Sequence, residues 1–255
     1  MKAKKSLGQN FLKSETILKK IVEAGNVNSK DVVLEIGPGK GALTEKILEA
    51  AGQVIAVEKD RELFEFLINK FATELESGKM ILIHGDILEL DTDEIFENQK
   101  YKIVANIPYN ITGAILKKFL TARRQPSDMT LLVQKEVADR IMARDGKESL
   151  LSISVKAYGK PGIALKVGKE YFKPRPKVDS AVIHIGEISR KFFLENQINE
   201  VKFWKIVRAG FAHKRKRLSS NLRDLGLEKL ESYEEILGLR AENMTLKNWV
   251  FISKN

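Results

Sequence analysis

Between residues 31 and 134 short apolar runs alternate with longer segments whose apolar residues recur every three or four positions. The runs are VVLEI (32–36), QVIAVE (53–58), MILIHGD (80–86), YKIVAN (101–106) and MTLLVQ (129–134). They are rich in β-branched residues and almost unbroken in hydrophobicity, as strands buried on both faces are. Helices are predicted from Ala42, from Arg61 and from Ile111, with a short one before residue 101. Strand and helix in alternation predict an α/β domain built on a parallel sheet with helices on both faces.

After residue 134 the rhythm changes. Helical segments from Lys135 and Ser149 lead to GIALKVG (162–168), a proline-rich stretch YFKPRPKVDS (171–180) and AVIHIG (181–186). Two strands with no full helix between them predict an antiparallel pair at the sheet edge. Beyond Ser189 the strand pattern ends, and Phe203, Ile206, Val207 and Phe211 fall at helical spacing. The chain is therefore expected to hold a first domain over 1–189 and a small all-α domain over 190–255.

Composition narrows the function. The 255 residues, 43% hydrophobic and 31% charged, suit a globular chain with a sizeable core. No apolar run reaches the roughly 18 residues of a spanning helix, so the expectation is a cytoplasmic protein with no membrane association. With no cysteine and three scattered histidines, disulfides, thiolate chemistry and a metal centre are not expected. The net charge of +10 is clustered, in Lys2, Lys4 and Lys5 and in His213-Lys214-Arg215-Lys216-Arg217. Such clusters predict a polyanionic partner, because neutralised phosphates release counterions.

The chemistry gathers at strand ends. Gly37, Gly39 and Gly41 sit where the first strand turns into a helix, a place for close backbone approach to a ligand and for free N–H groups. Spacing alone is ambiguous, since Gly37, Gly39 and Ala42 also satisfy a dinucleotide-binding pattern. Glu58 ends the second strand about 20 residues on, where an acid accepts from ribose hydroxyls. Asp86 follows the third strand, placed to accept from an adenine amino group, and the Ile87 N–H is placed to reach a ring nitrogen.

The fourth strand ends in Asn106-Ile107-Pro108-Tyr109. An adenine amine is a poor nucleophile because its lone pair is delocalised into the ring. Two acceptors aimed at its N–H bonds draw that pair out of plane, and the Asn106 side chain with a carbonyl of the Ile107-Pro108 turn supplies two. Pro108 stiffens the turn. Tyr109 offers a ring for stacking on a flipped base, a contact worth about 1–3 kcal/mol.

These residues resemble the KsgA-type small-subunit ribosomal RNA adenine dimethyltransferases. The resemblance runs through LGQNFL (7–12), EIGPGKGALT (35–44), VEKD (57–60), GD (85–86), NIPYNIT (106–112), LVQKEVADR (132–140) and FKPRPKVDSAV (172–182). It implies a class I methyltransferase fold, S-adenosyl-L-methionine as cofactor, and dimethylation at N6 of two adjacent adenosines in the 3′-terminal hairpin of small-subunit rRNA. By position it puts Asn10, Leu12, Gly37, Glu58, Asp86 and Asn106 around the cofactor, to which the strand-end reading adds Gly39 and Ile87; it puts Asn106 and Tyr109 at the target base, beside the turn that Pro108 stiffens, with Phe172 as a second aromatic wall. Its implied partner is small-subunit rRNA or the immature 30S particle, with a role in subunit biogenesis. From charge and position Arg208, Lys214, Arg215, Lys216 and Arg217 are expected to hold the RNA backbone, and the protein is expected to be a monomer.

Three other readings stand beside it. Ile107 replaces the leucine usual in the KsgA-type group and is frequent in macrolide-resistance methyltransferases of large-subunit rRNA. GQNFL, QKEVADR and the aspartate of PKVDS lean toward the small-subunit branch. A nicotinamide-dependent oxidoreductase would use the glycine turn and Glu58 but leaves Asn-Ile-Pro-Tyr without a task. A nonenzymatic RNA-binding assembly factor has no need of an intact Asn106 and Tyr109.

Overall fold

The computed structural model describes residues 4, 9–96, 99–227 and 234–254. Lys2, Lys5 and the Leu7-Gly8 start of the LGQNFL motif lie outside them. The chain divides into two compact units, residues 1–138 with 160–188, and residues 139–159 with 189–255. Residues 139–159, expected in the first domain, thus belong with the second unit.

The first unit opens with β1 (Phe11–Leu12) and α1 (Glu15–Ala24). Ser14 starts α1 by accepting the Ile17 N–H, and Ile17, Leu18, Ile21 and Val22 form its buried stripe. Then come β2 (Val32–Ile36), α2 (Ala42–Ala50), β3 (Gln53–Glu58), α3 (Arg61–Lys70), α4 (Ala72–Glu76), β4 (Met80–His84), α5 (Thr92–Ile95), β5 (Tyr101–Asn106), α6 (Thr112–Thr121) and β6 (Asp128–Gln134). α7 (Lys135–Met142) and α8 (Leu150–Tyr158) precede β7 (Lys160–Val167), β8 (Phe172–Lys173) and β9 (Ser180–Gly186).

Seven strands form one sheet in the order β4-β3-β2-β5-β6-β9-β7. The five strands from β4 to β6 are parallel, and β9 is antiparallel to both β6 and β7. The antiparallel pair is where the sequence pattern put it. β7 takes the outer position, where Pro161 can lack an N–H at little cost, and a register shift falls between Ile163 and Leu165. Buried Val33, Leu34, Val54, Ile103, Val104, Leu131 and Ile183 make the strands the centre of the core.

The strand order reverses between β2 and β5, since β3 and β4 lie to one side and β6 to the other. Pairing of β2 with β5 runs from Val32↔Tyr101 only to Leu34↔Ile103, although the strands continue to Ile36 and Asn106. Their carboxyl ends part, leaving a crevice at the point where open α/β sheets hold ligands.

The second unit contains α8, α9 (Lys191–Glu195), α10 (Glu200–Gly210), α11 (Leu218–Asn221), α12 (Glu234–Gly238) and α13 (Leu246–Ser253). Phe193, Phe203 and Trp204 pack edge to face, and Trp204 Nε1 donates to the Tyr158 hydroxyl at 2.8 Å. The Tyr158 hydroxyl in turn donates to Glu200, whose other oxygen accepts from Arg190 Nε at 3.0 Å. Asn199 caps α10, and Thr245 with Asn248 forms a capping box on α13. Among the described residues no helix is long and apolar enough to cross a membrane, and no cluster of metal-ligating side chains occurs.

Candidate active site

A cavity of about 1050 Å³ opens at the parted ends of β2 and β5. Asn10, Leu12, Gly37, Gly39, Glu58, Asp86, Ile87, Asn106, Pro108 and Tyr109 all line it.

Its floor is the turn from β2 into α2. Gly37 and Gly41 both have left-handed φ, +68° and +76°. A Cβ at Gly37 would meet nothing within 4 Å, because that side faces the cavity, whereas one at Gly41 would lie 2.5 Å from the Phe71 ring. The first glycine leaves room for a ligand; the second lets α3 and α2 close up. The Gly39 N–H donates to Glu58 Oε2 at 3.0 Å, and the Asp60 N–H donates to Glu58 Oε1 at 2.8 Å. Glu58 is 5% exposed, and burial pushes its carboxyl up against the pull of these N–H groups.

Asp86 lies two residues beyond the end of β4. The Lys59 ammonium, 2.6 Å from Oδ2, holds its carboxyl below the usual carboxylate range, and the Leu88 N–H donates to Oδ1 at 2.9 Å. Ile87 is buried beside it.

β5 ends at Asn106, and Tyr109 to Ile111 form one 3₁₀ turn before α6 begins at Thr112. Asn106 Nδ2 donates to the Asn10 carbonyl at 3.2 Å, which fixes how the amide is turned. The Pro108 carbonyl accepts the Ile111 N–H at 3.2 Å. The Tyr109 hydroxyl shares a 2.7 Å hydrogen bond with Ser180 Oγ, tying the ring to the start of β9. Asn110 is exposed. The Thr112 hydroxyl donates to the Tyr109 carbonyl at 3.1 Å instead of capping α6.

The N-terminal segment forms another wall. β1 pairs antiparallel with β8, with Phe11 opposite Lys173 and Leu12 opposite Phe172. The Phe11 ring rests on Gly39, and Lys40 Nζ stands 5.3 Å from its centroid. Phe172 does not line the cavity. It is 5% exposed and belongs to the same core cluster as Leu12, Val167 and Val182, while Lys173 and Pro174 reach the cavity in its place.

The basic residues lie in the second unit. Arg208 is on the exposed side of α10, and Lys214 to Arg217 occupy the exposed turn between α10 and α11. No acidic side chain among the described residues pairs with any of the five.

Gln9, Phe11, Glu35 and Asp60 are among the lining or supporting residues that were not anticipated. Phe11 and Gln9 had no periodicity to announce them. Glu35 did have a signal, a carboxylate inside the apolar run VVLEI; it is 1% exposed, and its Oε2 makes no well-formed hydrogen bond among the described residues. Asp60 precedes α3, where an acid reads as a helix cap.

A model of the ribosomal RNA adenine dimethylase family matches residues 1–248. The Ribosomal RNA small subunit methyltransferase A of Dehalococcoides mccartyi strain BAV1 is 42% identical, over 98% of this chain and 87% of its own. The protein of the same name from Fusobacterium nucleatum subsp. nucleatum is 38% identical, over 99% of this chain and 97% of its own. Among solved structures, a dimethyladenosine transferase from Plasmodium falciparum superposes with a TM-score of 0.78 at 26% identity, covering 95% of both chains. The 23S rRNA methyltransferase ErmE superposes with a TM-score of 0.75 at 23% identity, over 96% of this chain and 98% of its own, a likeness of fold. By the match along nearly its whole length, the chain belongs to the ribosomal RNA adenine dimethylase family.

Proposed function

We propose that this chain transfers methyl groups from S-adenosylmethionine to N6 of two adjacent adenosines in the 3′-terminal hairpin of small-subunit rRNA. The observation that carries the reading is Asn106, held at the crevice by the Asn10 carbonyl so that its amide oxygen is the group left to meet a base. The names of the relatives at 38–42% identity favour the small subunit as substrate over the large.

The residues fit the methyl donor. Glu58 and Asp86 are acceptors for ribose hydroxyls and an adenine amine, Gly37 leaves space above the turn, and Glu35 brings a buried oxygen that makes no well-formed hydrogen bond among the described residues. Bound there, S-adenosylmethionine supplies an electrophilic methyl group on a cationic sulfur that leaves as a neutral thioether.

Asn106 Oδ1 and the Ile107 carbonyl then accept the two N–H bonds of the target amine and turn its lone pair toward the methyl carbon. The Ile107 carbonyl takes this part because that of Pro108 is engaged by Ile111. The amine loses its proton after attack, so no strong base is required. Extruding an adenosine costs a few kcal/mol, offset by stacking on Tyr109, whose hydroxyl anchor to Ser180 keeps the ring in place. The substrate links the activity to small-subunit assembly in the cytoplasm.

The test is methyl transfer from labelled S-adenosylmethionine to small- and large-subunit particles, followed by mapping of the modified adenosines. Label is expected in adjacent adenosines of the small-subunit hairpin. Asn106→Ala should abolish transfer and leave RNA affinity within about twofold. Label confined to large-subunit rRNA, or near-normal turnover by the variant, would overturn the reading.

A further inference from the structure

Asp60 stands where β3 leads into α3, with its side chain only 3% exposed. As a helix cap its Oδ1 accepts the Glu62 N–H at 3.1 Å. The same carboxylate also reaches the N-terminal segment. Gln9 Nε2 donates to Asp60 Oδ2 at 3.0 Å, and Lys4 Nζ donates to Oδ1 at 2.8 Å. Gln9 Oε1 accepts the Lys4 N–H at 2.8 Å, so both ends of the Gln9 amide are committed and its orientation is fixed. The residue after Gln9 is Asn10, whose carbonyl holds Asn106. Through its own N–H, Asp60 also supports Glu58.

We propose that Asp60 is a positioning residue for methyl transfer: it latches the N-terminal segment through Gln9 and Lys4, and so places the Asn10 carbonyl that orients Asn106. This rests on the assignment of Asn106 to the target amine. An Asn106 amide released from Asn10 can rotate by half a turn and present donors where the amine needs an acceptor. Since Asn10 and Leu12 also line the cavity, the latch closes the wall against which the methyl donor lies. A helix cap alone would need neither Gln9 nor Lys4.

The substitution Asp60→Asn separates the two roles, because asparagine caps a helix as well as aspartate does. In the variant an amide NH₂ faces the Gln9 NH₂ or the Lys4 ammonium, and one acceptor is lost. Expected are a fall of about tenfold in kcat, an unchanged KM for RNA, a Tm within about 2 °C of the parent, and faster tryptic cleavage after the exposed Lys13. Adding Gln9→Glu returns an acceptor opposite the new donor and should recover most of both kcat and protection from cleavage. Parental kcat and cleavage rate in Asp60→Asn, or losses that Gln9→Glu leaves untouched, would overturn the latch. The cleavage comparison needs no RNA substrate. If the parent protein fails to methylate small-subunit RNA, the base assignment falls, and cleavage still decides whether Asp60 holds the segment.

Discussion

Glu35 is a carboxyl group in a strand of otherwise apolar residues, and burial pushes its pKa up to about 8, so it carries its proton at neutral pH in this structure. The Thr44 hydroxyl beside it opposes the upward shift, Glu58 adds to it by repulsion, and Lys70 opposes it. The ordinary value is 4.5, so between that pH and about 8 the folded chain holds a proton that the unfolded chain has released. The stability tied to this group is complete below the ordinary value and is lost as pH rises through the folded one. Glu35→Gln keeps a neutral side chain of similar shape at every pH. The parent should therefore lose stability relative to Glu35→Gln as pH goes from 5 to 9, in Tm measured on both proteins across that range. Parallel curves would mean that Glu35 is ionised in the folded chain. At this scale the sequence was informative wherever a residue type was out of place. An amide and a proline at one strand end pointed to a base, and an acid at another to a ribose. Gln9 and Phe11 were illegible because their importance lies in partners, Asp60 and Gly39, that are remote in sequence and near only after folding.

At the level of elements, long runs with a clear period were readable and short ones were not. β2, β3 and β5 have the bounds that their apolar runs predict, because five or six residues buried on both faces leave little latitude. β1 and β8 have two residues each, too few for any period, and pair across almost the whole first unit. That ribbon buries Phe172 and brings Lys173 and Pro174 to the cavity, so the aromatic wall expected from Phe172 is not where a motif comparison puts it. The turn from β2 to α2 shows how one element serves both folding and binding. Gly41→Ala adds a methyl group against the buried Phe71 ring at an unfavourable φ, and should cost about 2–4 kcal/mol, lowering Tm by roughly 5–10 °C. Gly37→Ala meets no protein atom and should cost only about 1 kcal/mol from its φ. Its methyl group projects into the cavity, so affinity for S-adenosylmethionine should fall at least about tenfold in calorimetry. Unchanged affinity in Gly37→Ala would remove that turn from the donor site.

For the whole molecule, the order of strands and helices established the α/β class, but residues 139–159 show where linear order stops being a guide. α8 looks like any apolar helix lying between two strands, and which core it joins depends on the nonlocal contacts of its Tyr158 with Trp204 and Glu200. Charge is likewise a property of the whole chain. The total of +10 says only that an anion is attractive, whereas the turn after α10 says where the charge is available. Several lysines on the first unit are paired with acidic side chains, Lys46, Lys59, Lys70 and Lys102 among them. Lys214, Arg215, Lys216 and Arg217 have none among the described residues, and they lie on a turn whose backbone is held by Asn221, which donates to the carbonyls of Gly210 and His213 at 2.6 and 3.2 Å. Four unpaired cations on a braced turn can meet phosphates without first breaking ion pairs, so their contribution should appear as released counterions. Replacing all four with alanine should weaken RNA binding and flatten the plot of log affinity against log salt by about 2–4 units, with little change in Tm because no buried contact is removed. An unchanged slope over 50–300 mM salt would show that the turn is solvated in the complex, and that the RNA is held by the cations of other surfaces.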